Sequence, residues 1–272
     1  METRCGTDRC FAPALMGWDE HLGTCAHDVT IGVIDTGFAS GHTAFRARRI
    51  EPMPKSPRAG AGRAGEWHGT GILSLLAGNR ASDTPGLLPD ATFKVADIFF
   101  ADAEGQPVTD TLSLVEGLDW MAAKRVAIVN MSLAGTEDEL LRRTIAGLSA
   151  KGMLFVAAVG NDGPAAPPAF PAAYEPVIAV TAVGMDLKSY RHAGRGAHVD
   201  FAAPGVKIWA ASPGGGGTYH SGTSFAVPFA TAVLASVHGD LVKPSKAEAL
   251  GRLKFVDLGE QGRDPVYGRG LV

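Results

Sequence analysis

The chain has 272 residues, of which 46% are hydrophobic and 19% are charged, with a formal net charge of -3. No apolar run approaches the ~18 uninterrupted residues that would span a bilayer, so we expect no membrane association. A slightly acidic chain of this length fits a single α/β domain and gives no electrostatic reason to expect a nucleic-acid partner.

All three cysteines, Cys5, Cys10 and Cys25, fall within residues 1–27. Their spacing fits no usual zinc pattern, so free or locally paired thiols are favoured over a metal site. The same residues lack the basic and then apolar arrangement of a secretory signal, and the compartment is not readable from them. We therefore predict an N-terminal segment at 1–27 and one folded domain at 28–272.

From residue 29 onward, short apolar segments alternate with segments of helical periodicity. The predicted strands are 29–34, 92–100, 126–130, 153–159, 176–183 and 206–211, and the predicted helices are 69–78, 109–125, 137–151, 223–238 and 244–254. The basic stretch 46–63 and the glycine run 214–217 are interpreted as loops. Continuous apolar strands are typical of a parallel sheet that is buried on both sides. The alternation therefore predicts an α/β fold, a mainly parallel central sheet with helices on both faces.

Four polar residues stand where predicted strands end or predicted helices begin. They are Asp35 after the first strand, His68 before the helix 69–78, Asn161 after the strand 153–159, and Ser224 at the start of the helix 223–238. Loops at the carboxyl ends of parallel strands lie along one edge, so we expect these side chains to lie together. Taken singly, each also has an ordinary structural interpretation as a turn, a helix cap or a helix-start histidine.

Several other enzyme classes lack their motifs in this chain. The Asp-Thr-Gly at 35–37 has no second copy, which an aspartic protease would need. There is no Gly-x-Ser-x-Gly of an esterase, no His-Glu-x-x-His of a metalloprotease, and no Gly-x-Gly-x-x-Gly directly after the first strand. A hydroxyl, an imidazole and a carboxylate remain, which is the set that activates a serine nucleophile.

The phrases around these residues carry a family resemblance. They read VIDTG at 33–37, HGTG at 68–71, NMSLAG at 130–135, AAVGNDGP at 157–164, DFAAPG at 200–205 and SGTSFAVP at 221–228. From about residue 28 to 240 the chain resembles the subtilases, the subtilisin-like serine proteases, whose triad has this Asp, His, Ser order. The resemblance implies a three-layer subtilisin-like sandwich and a serine endopeptidase that works through an acyl-enzyme intermediate.

The resemblance also implies the roles of individual residues. Asp35, His68 and Ser224 would form the catalytic triad, and the side chain of Asn161 would join the Ser224 backbone N–H in the oxyanion hole. Ser132, Leu133 and Ala134 would pair with the substrate backbone, and Ala158, Ala169 and Phe170 would line the pocket for the substrate side chain. The family usually has glycine where Ala134 and Ala169 stand, so we expect a narrowed cleft and a moderate-sized apolar preference. Asp162, with Asp102 and Glu104 nearby, could also favour basic side chains.

Two departures from the family pattern give further expectations. Where many subtilases have a calcium-binding His-Pro-Asp phrase, this chain reads His42-Thr43-Ala44, so we predict no required cofactor and no tight calcium site of that kind. Asn79, Ser82 and Asp83 could form a weak one. The second histidine of the family's HGTH phrase is Gly71 here, and the triad does not need it.

The remaining expectations concern processing, assembly and activity. Subtilases are usually made with an N-terminal prosegment, and 27 residues are too few for one. We expect a monomer that acts on peptide or protein substrates, located outside the cytoplasm if a leader was removed. A protease-like module that binds peptides without cutting them is the alternative. Pro228 is expected near the end of the first turn of its helix, where a missing N–H costs little.

Overall fold

The computed structural model describes residues 9, 11–54, 64–239 and 243–272. The strands of this part of the chain are β1 (Thr30–Asp35), β2 (Arg49–Pro52), β3 (Thr92–Asp97), β4 (Phe100–Ala101), β5 (Pro107–Val108), β6 (Ile128–Met131), β7 (Leu154–Ala158), β8 (Val177–Val183), β9 (Phe201–Pro204), β10 (Ile208–Ala211) and β11 (Gly217–His220). Seven of them form one sheet in the order β2-β3-β1-β6-β7-β8-β9, and every pairing in it is parallel. The predicted parallel sheet is confirmed.

Helices cover both faces of this sheet. They are α1 (Phe11–Leu15), α2 (Glu20–Thr24), α3 (Trp67–Ala77), α4 (Thr111–Ala123), α5 (Glu139–Ser149), α6 (Thr223–His238) and α7 (Lys246–Gly251), with a 3-10 turn at Thr43–Phe45. The helices α4 and α5 begin where the side chains of Asp110 and Asp138 accept backbone N–H groups of the first turn. Among the described residues, none of the helices combines the length and the apolar character that crossing a membrane requires.

The core is split by the sheet into two hydrophobic clusters. Successive residues of β1 point in opposite directions, so Val33 belongs to the cluster that contains α3 and α6, and Ile34 belongs to the cluster that contains α4 and α5. Phe155 and Val156 of β7 alternate in the same way. This arrangement is the predicted three-layer sandwich.

One predicted strand lies elsewhere in the fold, and the predicted glycine loop is part of the same hairpin. The strand 206–211 lies outside the central sheet, because β10 pairs antiparallel with β11 to form a hairpin. The glycine run is the tight turn of that hairpin: Gly215 and Gly216 adopt positive φ of 100° and 64°, and the Ser212 N–H donates to the Gly216 carbonyl at 3.1 Å. The seventh strand of the sheet is instead β9.

Three further expectations are corrected by the structure, two of them boundaries and one a position within a helix. The stretch 46–63 contains the edge strand β2, and its residues 55–63 lie outside the described part of the chain. The strand predicted to reach residue 100 ends at Asp97, because the chain then turns into the β4–β5 hairpin. The helix α6 begins at Thr223, which makes Pro228 its sixth residue. The expected position of Pro228 in the first turn is therefore wrong.

The N-terminal segment packs against the rest of the chain where it is described. Ala12 and Ala26 are buried in the cluster beneath α3 and α6, and Trp18 packs against it. Cys25 is exposed and unpaired, whereas Cys5 and Cys10 lie outside the described residues. The division of the chain at residues 27 and 28 remains a prediction.

Candidate active site

The four candidate residues come to one cleft at the carboxyl edge of the sheet. Asp35 is the last residue of β1, and Asn161 lies three residues beyond the end of β7. His68 and Ser224 are the second residues of α3 and α6. All four line a cleft of about 300 Å³. Helix N-termini and strand ends thus converge on the same space, as doubly covered parallel sheets place them.

His68 and Asp35 form a direct hydrogen bond. The Nδ1 atom of His68 lies 2.8 Å from Oδ1 and 3.0 Å from Oδ2 of Asp35. Asp35 is only 2% exposed, and its Oδ1 also accepts the Thr36 N–H at 2.7 Å. Because a carboxylate only accepts, Nδ1 carries the proton and Nε2 of the neutral ring is left with a free lone pair.

Two opposing effects act on the His68 imidazole. Burial lowers the pKa of His68, while the negative charge of Asp35 and its hydrogen bond raise it. The attraction to Asp35 prevails, and the pKa of His68 lies above its ordinary value. The carboxylate therefore stabilises the imidazolium that forms when this ring takes up a proton.

Gly69 permits the close approach of α3 to the end of β1. A Cβ atom at this position would lie 2.3 Å from the Thr36 carbonyl oxygen, which is an impossible contact. The Gly69 N–H donates instead to the Thr36 hydroxyl at 2.9 Å. This contact between strand and helix brings His68 against Asp35.

Aromatic side chains pack beside the His68 imidazole. The Trp67 and Phe225 rings both meet the imidazole edge-on, with centroids at 5.2 and 5.7 Å. The ring of His220 is stacked between the same two side chains, at 5.8 Å from Trp67 and 4.6 Å from Phe225. Phe225 also explains Gly71, since a Cβ at residue 71 would come within 3.2 Å of its ring.

Asn161 is oriented by the residue that precedes Ser224. Its Oδ1 accepts both the backbone N–H and the hydroxyl of Thr223, at 3.0 and 3.1 Å. With its oxygen committed in this way, the amide presents its N–H₂ group as a donor. Ser224 follows Thr223 in the first turn of α6, where backbone N–H groups have no partner within the helix.

The six predicted substrate-binding residues divide into two groups. Ser132, Leu133, Ala134 and Ala158 line the cleft. Ala169 and Phe170 are not among the lining residues. The Phe170 backbone pairs with that of Gly135, at 2.7 and 3.0 Å, and the Phe170 ring packs on Tyr174. Ala169 lies beside Gly160, where a Cβ would be 3.2 Å from the Ala169 methyl group.

Sequence reasoning missed several residues of the cleft. They are Thr36, Trp67, Phe99, Pro107 and Thr223. Thr36 and Thr223 are the sequence neighbours of Asp35 and Ser224, so their presence in the cleft could have been predicted from the same sequence phrases. Phe99 and Pro107 reach the cleft only through the β4–β5 hairpin, for which the sequence has no distinctive pattern.

Two of the three residues proposed for a weak calcium site are engaged in hydrogen bonds within their own loop. The Oδ1 of Asn79 accepts the Ala81 N–H at 2.9 Å, and the hydroxyl of Ser82 donates to the Asn79 carbonyl at 2.7 Å. The ring of His42 is engaged by the Ala44 N–H and the Gly216 carbonyl. Within the described ranges, no group of three His, Cys, Asp or Glu residues is placed to hold a metal ion.

The comparison with known families identifies the class of this protein. A model of the subtilase family matches residues 26–270, so the chain belongs to the subtilase family, the subtilisin-like serine proteases. Subtilisin E of Bacillus subtilis (strain 168) is 27% identical over 275 aligned positions, covering 98% of this chain and 69% of that protein. The minor extracellular protease Epr of the same strain is 34% identical over 75% of this chain.

The match to Epr spans only 32% of its length, or about a third. Among solved structures, the psychrophilic subtilisin-like protease Apa1 from the Antarctic psychrotroph Pseudoalteromonas sp. AS-11 superposes with a TM-score of 0.82. The superposition covers 96% of this chain and 95% of that one at 16% sequence identity, and it establishes the fold. The subtilisin-like α/β architecture predicted from the motifs is confirmed.

Proposed function

We propose that this protein is a serine endopeptidase that cleaves peptide bonds with Ser224 as nucleophile, His68 as general base and Asp35 as the partner of His68. The observation that carries the proposal is the 2.8 Å hydrogen bond from His68 Nδ1 to Asp35, in a cleft that Ser224 and Asn161 also line. This bond fixes the tautomer in which Nε2 can accept the serine proton. The chemistry then follows from the residues present.

In the first half of the reaction, the Ser224 hydroxyl oxygen attacks the scissile carbonyl carbon while its proton passes to His68 Nε2. His68 then gives that proton to the departing amine, the C–N bond breaks, and an acyl-enzyme remains on Ser224. A water molecule repeats the sequence: it loses a proton to His68, attacks the ester carbonyl, and the proton returns to the Ser224 oxygen. Asp35 stabilises the imidazolium in both halves.

Negative charge develops on the carbonyl oxygen during each attack. The Asn161 N–H₂ group and the Ser224 backbone N–H are the proposed donors to this oxyanion. The N-terminus of α6 adds the positive end of a helix dipole directly beneath it. A neutral amide donor adds no further titrating group to the site.

The substrate is proposed to lie along residues 132–134 as an added extended strand. Ala134 lines the cleft and Ala169 lies outside its lining, yet both methyl groups are close to Gly160, because a Cβ at Gly160 would lie 3.6 Å from the Ala134 methyl group and 3.2 Å from that of Ala169. Two methyl groups at this point narrow the space available, which supports a preference for moderate-sized apolar side chains. Asp162 lines the cleft and supports some acceptance of basic ones.

A fluorophosphonate probe tests the proposal against the alternative of a peptide-binding module. The wild-type protein is expected to be labelled at Ser224 and to cleave a proteome-derived peptide mixture, and Ser224→Ala is expected to do neither. Ser236→Ala is the matched control, because Ser236 lies on the same helix and its hydroxyl donates to the Val233 carbonyl one turn earlier. Peptide binding without labelling of the wild-type protein would favour the binding module instead.

The cleavage sites from the same mixture test the specificity. Enrichment of moderate-sized apolar residues before the scissile bond, with some basic residues at neighbouring positions, is the expected profile. Asp162→Asn should reduce the basic component and leave the apolar one. A wild-type profile dominated by acidic residues would contradict this substrate assignment without affecting the proposed triad.

A further inference from the structure

The helix that carries Ser224 lacks one of its own hydrogen bonds at that residue. In α6 (Thr223–His238) the carbonyl of Ser224 would accept the backbone N–H four residues later, which is that of residue 228. This residue is Pro228, which has no N–H. The Ser224 carbonyl is therefore left without the partner that every regular helix supplies.

The hydroxyl of Ser132 provides the missing donor. Its Oγ lies 2.9 Å from the Ser224 carbonyl oxygen, across 92 residues of sequence. Ser132 Oγ in turn lies 3.0 Å from Nδ2 of Asn130, and Oδ1 of Asn130 lies 3.2 Å from the hydroxyl of Thr231. Asn130 and Thr231 are fully buried, and Ser132 is 4% exposed.

Only one arrangement of protons makes all three bonds. Ser132 has a single hydroxyl proton, which goes to the Ser224 carbonyl, so the oxygen of Ser132 must accept from the Asn130 amide. This orients the Asn130 side chain and leaves its oxygen to accept from Thr231. Successive bonds in a buried chain polarise one another, and a buried group that loses its partner is costly.

We propose that Ser132, Asn130 and Thr231 form a relay that positions the nucleophile, and that the relay replaces the helical bond which Pro228 removes. The inference rests on the proposed function, in which Ser224 is the nucleophile. The Ser224 carbonyl belongs to the peptide group that follows Ser224, so fixing it fixes the Ser224 backbone torsion and the direction of its Cα–Cβ bond. An error of about 1 Å at such a group is enough to lower a rate about 10²-fold.

The relay also accounts for a proline inside a buried helix. Pro228 makes the Ser224 carbonyl available to a group outside the helix, and Ser132 comes from the loop directly after β6. That loop is the one proposed to pair with substrate. The nucleophile and the substrate-binding segment are thereby held to each other by a side chain, independently of the helix.

The test uses the rate of fluorophosphonate labelling of Ser224, because a small probe makes no strand contacts with residues 132–134. Ser132→Ala is expected to lower the labelling rate roughly 10- to 100-fold. Thr231→Val changes the far end of the relay, away from the cleft, and is expected to lower the rate roughly 2- to 5-fold. Both variants should retain a cooperative melting transition.

A second substitution restores the bond by another route. Pro228→Ala introduces a backbone N–H at the position from which a regular helix donates to the Ser224 carbonyl. The double variant Ser132→Ala/Pro228→Ala is therefore expected to recover most of the labelling rate lost in Ser132→Ala. A role of Ser132 that is confined to substrate binding or to global stability would give no such rescue.

The outcomes separate this inference from the proposed function. Absence of labelling at Ser224 in the wild-type protein overturns both. Normal wild-type labelling, combined with an unchanged rate in Ser132→Ala or with no recovery in the double variant, overturns the relay alone. Should Ser132→Ala fail to fold, Thr231→Val and a folded double variant decide the matter, because slow labelling in the first and fast labelling in the second are both required.

Discussion

Asn161 is held in an orientation that suits its proposed role as a donor to the oxyanion. Its oxygen is held by two donors of Thr223, so the orientation of the amide is set by the residue directly before Ser224. The hydroxyl of Thr223 is itself fully buried. The donor group of Asn161 is therefore placed before any substrate arrives, which is the condition for electrostatic stabilisation of a transition state.

Asn161→Ala should lower kcat about 10²- to 10³-fold and leave KM nearly unchanged. The oxyanion exists only in the transition state, so its donor contributes little to substrate binding in the ground state. Steady-state kinetics on a peptide found by the cleavage assay measure both constants. A rise in KM with an unchanged kcat would contradict the assignment, and the melting temperature serves as the control for folding.

The pH dependence of kcat/KM should report the titration of His68. In the proposed mechanism its neutral form is the active one, so activity should be lost as the pH falls through the pKa that Asp35 has raised. Asp35→Asn removes the attraction and leaves the opposing effect of burial. The acid limb should then move to lower pH, while the maximum rate falls about 10⁴-fold.

The titration of the neighbouring His220 is expected to be separate from the acid limb of the pH profile. The pKa of His220 is lowered by burial and by the charge of His68, so His220 titrates below the limb that belongs to His68. His220→Phe keeps a ring between Trp67 and Phe225 and should leave the position of the acid limb unchanged. An acid limb in Asp35→Asn at the wild-type position would show that another group controls activity.

At the scale of elements, the strand β9 depends on a buried ionic contact. Asp200 directly precedes β9 and is 2% exposed, and its Oδ2 accepts the Ala179 N–H of β8 at 2.8 Å. The same oxygen lies 2.7 Å from Nζ of Lys246, the first residue of α7, and Arg263 lies 3.4 Å from Oδ1. Two strands and the last helix are joined through this one carboxylate.

Asp200→Ala should lower the free energy of unfolding by about 3–5 kcal/mol, because it leaves the largely buried Lys246 ammonium without its counter-charge. Urea unfolding measures the change. Asp186→Ala is the matched control, since Asp186 forms a similar pair with Lys188 at the exposed surface and should have no measurable effect. Equal midpoints for the two variants would contradict the role given to the buried contact.

The elements predicted from sequence are those whose pattern is local. The strands β1, β7 and β8 are continuous apolar runs, and α5 has a regular apolar stripe, so each is visible within its own residues. The strand β9 has four residues and ends in Pro204, and it is a strand because β8 and Asp200 hold it. The placement of β10 likewise depends on its partner β11, which only the folded chain reveals.

In the candidate site, too, some residues could be predicted from local sequence and others depend on contacts between distant segments. Asp35, His68, Asn161 and Ser224 stand in phrases that can be found in one dimension, and the fold brings them to one cleft. Phe99 and Pro107 reach this cleft through a hairpin, and Phe170, which is not among its lining residues, pairs with Gly135. Pairings between distant segments decided these three positions, and composition and spacing do not encode such pairings.

For the molecule as a whole, the loops that hold calcium in many subtilases are proposed to be stabilised here by their own hydrogen bonds. His42 connects its own turn to the β10–β11 hairpin, since its ring lies 3.1 Å from the Ala44 N–H and 3.0 Å from the Gly216 carbonyl. Asn79 joins its loop to the same region through a bond from its side chain to the Arg46 carbonyl at 3.2 Å. The Gly216 and Arg46 carbonyl oxygens, which are of the ligand type that calcium prefers, each accept one of these bonds.

The melting temperature should therefore change by less than about 2 °C when EDTA is added, and calcium should not raise it. A tight site at a thousandfold excess of free calcium over its dissociation constant would contribute about 4 kcal/mol, which corresponds to roughly 10 °C in a protein of this size. Thermal scans in EDTA, in calcium chloride and in potassium chloride of equal ionic strength separate specific binding from screening. A drop of many degrees in EDTA that calcium alone reverses would contradict the prediction, because it would show that the folded chain binds the ion tightly without a carboxylate at residue 44.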